Sequence, residues 1–323
     1  METSILNLEL KKNKINPKTY LKRYIKLIEK DCKKILKPKL LKKSHCPTNK
    51  EKSCSSSFKV FGMKYNVSKT YKNIYLEKKP DEALLRKFYL NSKARKFWKN
   101  KIWPTTKNER NKKIIYPLVE WIERFIDNKK KVIFYEFFSN HTNFSQGIRK
   151  KFKRSKYVFL NSLIENSKKY RNYDLNFKKK DKKIAVLFES INRCVEPEKL
   201  MKNVKIKLES GDLCFITTLL ASGFEIKILG KSSKTFIPPE RMNILSLEGL
   251  QSLIKKVGGF EILELSTPAI LDIPNVIEKM DKKNEFFNYI FNQRKDSQLI
   301  ENYRQFLQLF RLGTYCRMVL KRK

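Results

Sequence analysis

Beyond residue 130 the apolar positions of this chain keep changing period. Short continuous runs occur at 131–136 (K-V-I-F-Y-E), 157–160 (Y-V-F-L), 184–189 (I-A-V-L-F-E), 213–218 (L-C-F-I-T-T) and Phe260–Ser266. Between them, at 144–152, 197–208 and after Ser246, apolar residues recur every three or four positions. Continuous apolar runs suit strands buried on both faces, and the longer period suits helices that cover them. The alternation predicts an α/β protein with a largely parallel sheet. Ser210-Gly211 reads as a turn before the strand at 213–218, Pro238-Pro239 as a loop, and Ser246 as a helix N-cap. Residues 269–312 read as mostly helical and 315–320 as a last strand.

The first 130 residues are less regular. Residues 1–44 form a basic leader in which Leu21, Tyr24, Ile25, Leu27 and Ile28 mark a helical apolar face. It suits an appended helix, a partly disordered arm or a membrane-surface helix. Residues 45–125 hold a short β-ribbon, then a helix over 80–98 with Pro80 at its start and Asp81 and Glu82 in its first turn. Residues 126–323 carry the alternating pattern.

At 323 residues, with 41% hydrophobic and 12% aromatic residues, the chain has the material for a full core. Charge changes the picture more. With 73 Lys and Arg against 32 Asp and Glu, the formal net charge is +41. A field of that sign suits an acidic substrate or a polyanion, and implies weak nonspecific binding to nucleic acid at low salt. Because the lysines are spread along the chain and Asn, Ile, Phe and Tyr are abundant too, the AT-rich composition of a genome is the simpler account of the charge. No apolar stretch reaches the roughly 20 residues of a membrane helix, and no secretory leader opens the chain. Six scattered cysteines suit free thiols in the cytoplasm better than a disulfide framework.

The segment from Glu209 to Asp272 (E-S-G-D-L-C-F-I-T-T, then I-P-P-E-R-M-N-I-L-S and G-F-E-I-L-E-L-S-T-P-A-I-L-D) resembles the C-terminal half of class I S-adenosylmethionine-dependent methyltransferases. Phe88-Tyr89, Ser92 and Phe97-Trp98 match a bacterial subgroup of that family with a zinc-ribbon-like segment near its N-terminus. The resemblance covers about 46–322 and implies a Rossmann-like methyltransferase sheet. It implies S-adenosylmethionine as cofactor and methyl transfer to a small or acidic substrate, or a scaffold or partner protein that keeps the fold without catalysis; a basic nucleic-acid-binding protein built on the same fold ranks last.

Carried over position by position, the resemblance keeps the framework and loses the chemistry. The acid that ends the first strand is Glu136, but Phe138, Asn140 and Thr142 stand where the family has its cofactor-loop glycines. Phe and Thr adopt left-handed backbone poorly, so the loop is expected to differ in shape. Asn161 holds the place of the ribose-binding acid. In F-E-S-I-N-R (188–193), Glu189 is kept and the family's Glu-His pair has become Asn192-Arg193. The resemblance thus implies Glu136, Phe138, Asn140, Asn161 and Glu189 around the cofactor, and Asn192 and Arg193 at the catalytic floor. Arg193 stays protonated and accepts no proton. Arg241 replaces a family histidine, and Ala269 a glycine. Of the ribbon's metal ligands only Cys46 is in register, with Asn49, Ser68 and Tyr71 at the other places, so no metal is expected. His141, alone in its loop, reads as structural.

Overall fold

The computed structural model describes residues 12–139, 143–161, 163, 181–279, 285–294 and 296–323. The basic leader contains one long helix, α1 (Lys18–Ile35), with Tyr24, Ile28, Asp31 and Cys32 buried. Its apolar stripe lies on the protein's main core. Three strands follow, β1 (Cys54–Val60), β2 (Met63–Ser68) and β3 (Ile74–Leu76), paired as an antiparallel meander. Asn243–Ile244, more than 160 residues downstream in sequence, pairs with β3 as a fourth strand.

The helix expected from Pro80 begins two residues later. Asp81 caps α2 (Glu82–Asn91) by accepting from the Leu84 amide, which leaves Pro80 outside the helix. Ser92 then ends α2 and caps α3 (Lys93–Phe97), so one expected helix is two. The buried carboxylate of Asp31 accepts from the Ser92 hydroxyl at 2.7 Å and the Ala94 amide at 2.9 Å, which pins this junction to α1. Helical chain continues through α4 (Trp103–Arg110) to α5 (Tyr116–Glu123), with wide π-helical turns at Trp98–Ile102 and Asn111–Ile115. Each wide turn runs up to a proline, Pro104 or Pro117, whose ring and missing N–H disturb regular α pitch.

The rest is the expected α/β unit. Its strands are β4 (Val132–Phe137), β5 (Ser155–Leu160), β6 (Lys182–Phe188), β7 (Leu213–Leu219), β8 (Phe260–Ser266) and β9 (Tyr315–Arg322). They form one sheet in the order β8-β9-β7-β6-β4-β5. Neighbours from β7 to β5 are parallel, and β9 is antiparallel to both β7 and β8. Its described helices include α6 (Asn143–Lys151), α7 (Pro197–Lys207), α8 (Phe224–Leu229), α9 (Leu247–Val257), α10 (Asp272–Lys279) and α11 (Ser297–Leu309). Ser246 caps α9 as expected, accepting from the Gly249 amide at 2.9 Å.

The sheet separates two apolar clusters. Ala185, Leu187, Ile216 and Met318 face a core shared with α1, β2, β3, α7 and α9. Ile184, Val186, Phe215 and Val319 face α5 and α6. The strand alternation that buries both faces is the reason β6 and β7 read as unbroken apolar runs. No helix among the described residues is long and apolar enough to cross a membrane.

Candidate functional site

Three parallel strands end in the same way. Phe138, Asn161 and Glu189, the residues just after β4, β5 and β6, have φ values of 51°, 50° and 56°. The left-handed turn that the family resemblance assigns to glycine is therefore kept at Phe138, contrary to the expectation from its side chain. Ala269, at another lost glycine, has φ 52°. A residue with a Cβ holds such a conformation at a cost of about 1–3 kcal/mol, which the surrounding packing must offset. Phe138 is 5% exposed and packs into the main core.

Glu136 is buried, and its carboxylate accepts a 2.6 Å hydrogen bond from the Tyr157 hydroxyl. Burial pushes its pKa from the ordinary 4.5 up to about 7, against opposing hydrogen bonds from Tyr157 and Ser139 and the charge of Arg193. Asn161 is exposed and donates its amide to Glu82 at 3.3 Å. Asn140, His141 and Thr142 lie outside the described residues. The described part of this strand end does not fit S-adenosylmethionine held as the family holds it. The acid is committed to a tyrosine, a buried ring stands at the first glycine position, and the ribose acid is an amide turned to a helix N-terminus.

The end of β6 is built differently. Asn192 is fully buried in the single turn Ser190–Arg193. It donates to the Asn243 carbonyl at 2.7 Å and accepts from the Leu219 amide at 3.1 Å and the Thr218 hydroxyl at 3.2 Å. Both polar atoms of its side chain are engaged in holding three segments together. Arg193 donates to Glu189 at 3.0 Å and approaches Glu240 at 3.6 Å, an ion pair beyond hydrogen-bond reach. Arg241 donates to the same Glu189 oxygen at 2.9 Å, and Arg95 lies 3.4 Å from Glu240. The two positions where the resemblance leads one to expect histidine, now Arg193 and Arg241, thus meet on one carboxylate. Burial alone would raise the Glu240 pKa, but the Arg95, Arg193 and Arg241 guanidiniums hold it below the ordinary value.

Beside this cluster lies a cavity of about 470 Å³. It opens at the carboxyl ends of β6 and β7 and the start of β9, covered by α1 and the helical run from α3 to α5. That is where ligands sit in open α/β sheets. Glu189 and Arg193 line it; Glu136, Phe138, Asn161 and Asn192 do not. Its wall carries eight Lys or Arg residues against four Glu or Asp. Asp272 is one of the four, accepting from the Thr314 amide at 2.9 Å. Burial pushes its pKa from 3.8 up to about 6, with the Glu225 charge acting in the same direction. Arg317 and Asp272 were not legible as site residues in the sequence. Arg317 leaves one signal, a lone cation in the otherwise apolar C-R-M-V-L stretch.

The ribbon near the N-terminus is held by hydrogen bonds. Asn73 donates to Thr48 at 2.9 Å and to the Cys46 sulfur at 3.4 Å, and accepts from the Ser246 amide at 2.8 Å. Ser68 accepts from the Asn73 amide, and the Tyr71 hydroxyl accepts from Ser252. Among the described residues no group of three or more His, Cys, Asp and Glu side chains is disposed to hold a metal ion.

No protein-family model and no curated protein matches this chain. Among solved structures it is similar to the plantazolicin methyltransferase BpumL in complex with SAH, at 11% identity over 75% of this chain and 95% of that one, TM-score 0.41. It is similar to Haemonchus contortus phosphoethanolamine N-methyltransferase 2 in complex with phosphomonomethylethanolamine and S-adenosylhomocysteine, at 15% identity over 77% of this chain and 63% of that one, TM-score 0.42. Geranyl diphosphate methyltransferase in complex with SAM matches at 10% identity over 69% and 91% of the two chains, TM-score 0.43. The strand order of the chain itself, with one antiparallel strand set between β7 and β8, is that of a mixed α/β, Rossmann-like methyltransferase sheet.

Proposed function

We propose that this chain is a methyltransferase-fold protein that binds a ligand in the strand-end cavity and does not hold S-adenosylmethionine through the family's cofactor grip. One observation carries the reading: the buried Glu136 carboxylate is bonded to Tyr157, and the neighbouring glycine position is the buried Phe138. The catalytic floor points the same way. Arg193 cannot accept a proton, and the Asn192 side chain is consumed by hydrogen bonds within the fold. The role left to such a chain is that of a scaffold or partner that recognises a ligand without methylating it. Six free cysteines suit a reducing compartment, the cytoplasm. The net charge of +41 supports nonspecific binding to nucleic acid that falls steeply with salt.

A second reading, methyl transfer to an acidic substrate through a reshaped cofactor loop, is favoured by one feature. The cavity has a cationic wall, and burial raises the pKa of Asp272 within it to about 6. Titration of the purified, folded chain with S-adenosylhomocysteine separates the two. The first reading expects no heat of binding at millimolar ligand; micromolar binding would overturn it and leave methyl transfer as the reading to assay.

A further inference from the structure

We propose that the strand-end cavity contains an oxyanion subsite on Arg317, for a ligand that joins a carboxylate or phosphate group to an apolar body. It deepens the reading of this cavity as a ligand site and uses no cofactor. Arg317 lies within β9, in register with Thr217 of β7 on one side and Ser266 of β8 on the other. Its residue exposure is 3%, and it lines the cavity. The guanidinium carbon stands 4.1 Å from the centre of the Trp121 ring, which covers one face of the cation. Nε and Nη2 are buried and have no hydrogen-bond partner. Those two nitrogens form the side-on edge of a guanidinium, the pair that matches two oxygens of a carboxylate or phosphate. The Ser266 hydroxyl, one strand away in the same row, is also buried without a partner.

The acids nearby do not serve this edge. Glu264 accepts the Trp121 indole N–H at 2.9 Å and lies 4.0 Å from Arg124. Glu189 and Glu240 are taken by Arg95, Arg193 and Arg241. Burial lowers the Arg317 pKa to about 10, with Tyr315 and Glu264 acting against it, so the side chain is a cation at neutral pH. A buried cation with unused donors destabilises a fold unless a ligand or solvent satisfies it. The adjoining wall is apolar, with Ile115, Leu118, Phe144 and Phe188. A charged head on Arg317 with an apolar body against these residues fits the cavity, as an anion alone or a neutral ring alone does not.

The test uses the full chain, benzoate and phenyl phosphate as probes, and benzyl alcohol as a neutral ring of similar size. Calorimetry and thermal melting are expected to show binding and stabilisation by at least one anion, with benzyl alcohol at least tenfold weaker. Preference between benzoate and phenyl phosphate identifies the head group. Arg317→Met is expected to weaken anion binding at least tenfold while the ligand-free protein melts no lower than wild type, since two buried donors without hydrogen-bond partners have gone. Arg317→Lys keeps the charge but not the paired edge, and is expected to bind more weakly than wild type. Equal binding of benzyl alcohol and the anions, undiminished binding by Arg317→Met or Arg317→Lys, or no anion binding by the wild type would each overturn the proposal. A lower melting temperature for ligand-free Arg317→Met would overturn it too, making Arg317 a structural residue. S-adenosylhomocysteine titrated into the same preparation reads separately: binding there refutes the noncatalytic reading and leaves the Arg317 result untouched.

Discussion

Asn192→Ala distinguishes a catalytic asparagine from one that holds the fold. The wild-type side chain joins the β6 end to the β7 end and to the strand Asn243–Ile244 through bonds of 2.7, 3.1 and 3.2 Å. The tie is reciprocal, because Asn243 donates its own amide to the carbonyls of Ile191 at 3.1 Å and Cys194 at 2.7 Å. Truncation leaves the Leu219 amide and the Asn243 carbonyl without these partners. The Thr218 hydroxyl retains a long contact to the Leu219 carbonyl at 3.5 Å. Two stranded backbone groups cost about 1–3 kcal/mol each, so with partial relaxation the loss is about 3 kcal/mol. At about 2.1 cal/mol/K per residue, unfolding a chain of 323 residues has an entropy near 0.7 kcal/mol/K, and the melting temperature falls by about 4 °C. Urea unfolding followed by circular dichroism, with thermal melts in parallel, measures both. A loss below about 1 kcal/mol with an unchanged melting temperature would refute the structural role and return Asn192 to the candidates for chemistry.

Two further predictions follow from burial. The Glu136 pKa rises from 4.5 to about 7 on folding, so its neutral form stabilises the protein below pH 4.5 and that stability is lost as pH rises through 7. Glu136→Gln is therefore expected to match wild type in urea at pH 4.5 and exceed it at pH 8; a constant difference at the two values would contradict the shift. Burial also raises the pKa of the Cys32, Cys194 and Cys316 thiols to about 12, and that of Cys214 further. Cys46 is buried as well, and Cys54 alone of the six is partly exposed. Ellman's reagent is expected to modify one thiol promptly in the native protein and six in urea, and Cys54→Ser should abolish the prompt reaction. Two or more prompt equivalents would mean that the core opens easily.

The sheet was legible because burial on both faces leaves an apolar run through the middle of β6 and β7. The run from Lys93 to Glu123 was less legible, since wide turns before Pro104 and Pro117 shift the helical period twice. At the candidate site, the substitutions could be read singly but not their combination. Arg193 and Arg241 are 48 positions apart, and only the fold brings both to Glu189. Phenylalanine adopts left-handed backbone poorly, yet the buried Phe138 keeps that turn. In the sequence Arg317 is a lone cation within an apolar stretch. Its significance comes from Trp121 beneath it and the cavity beside it, both long-range products of packing.

Whether the fold persists without the cofactor grip is read most directly by calorimetric titration of the folded full chain with S-adenosylmethionine and S-adenosylhomocysteine at high salt. No binding is expected at millimolar ligand, from protein whose circular dichroism and melting are those of an ordered α/β fold. Micromolar binding of either ligand would contradict that expectation.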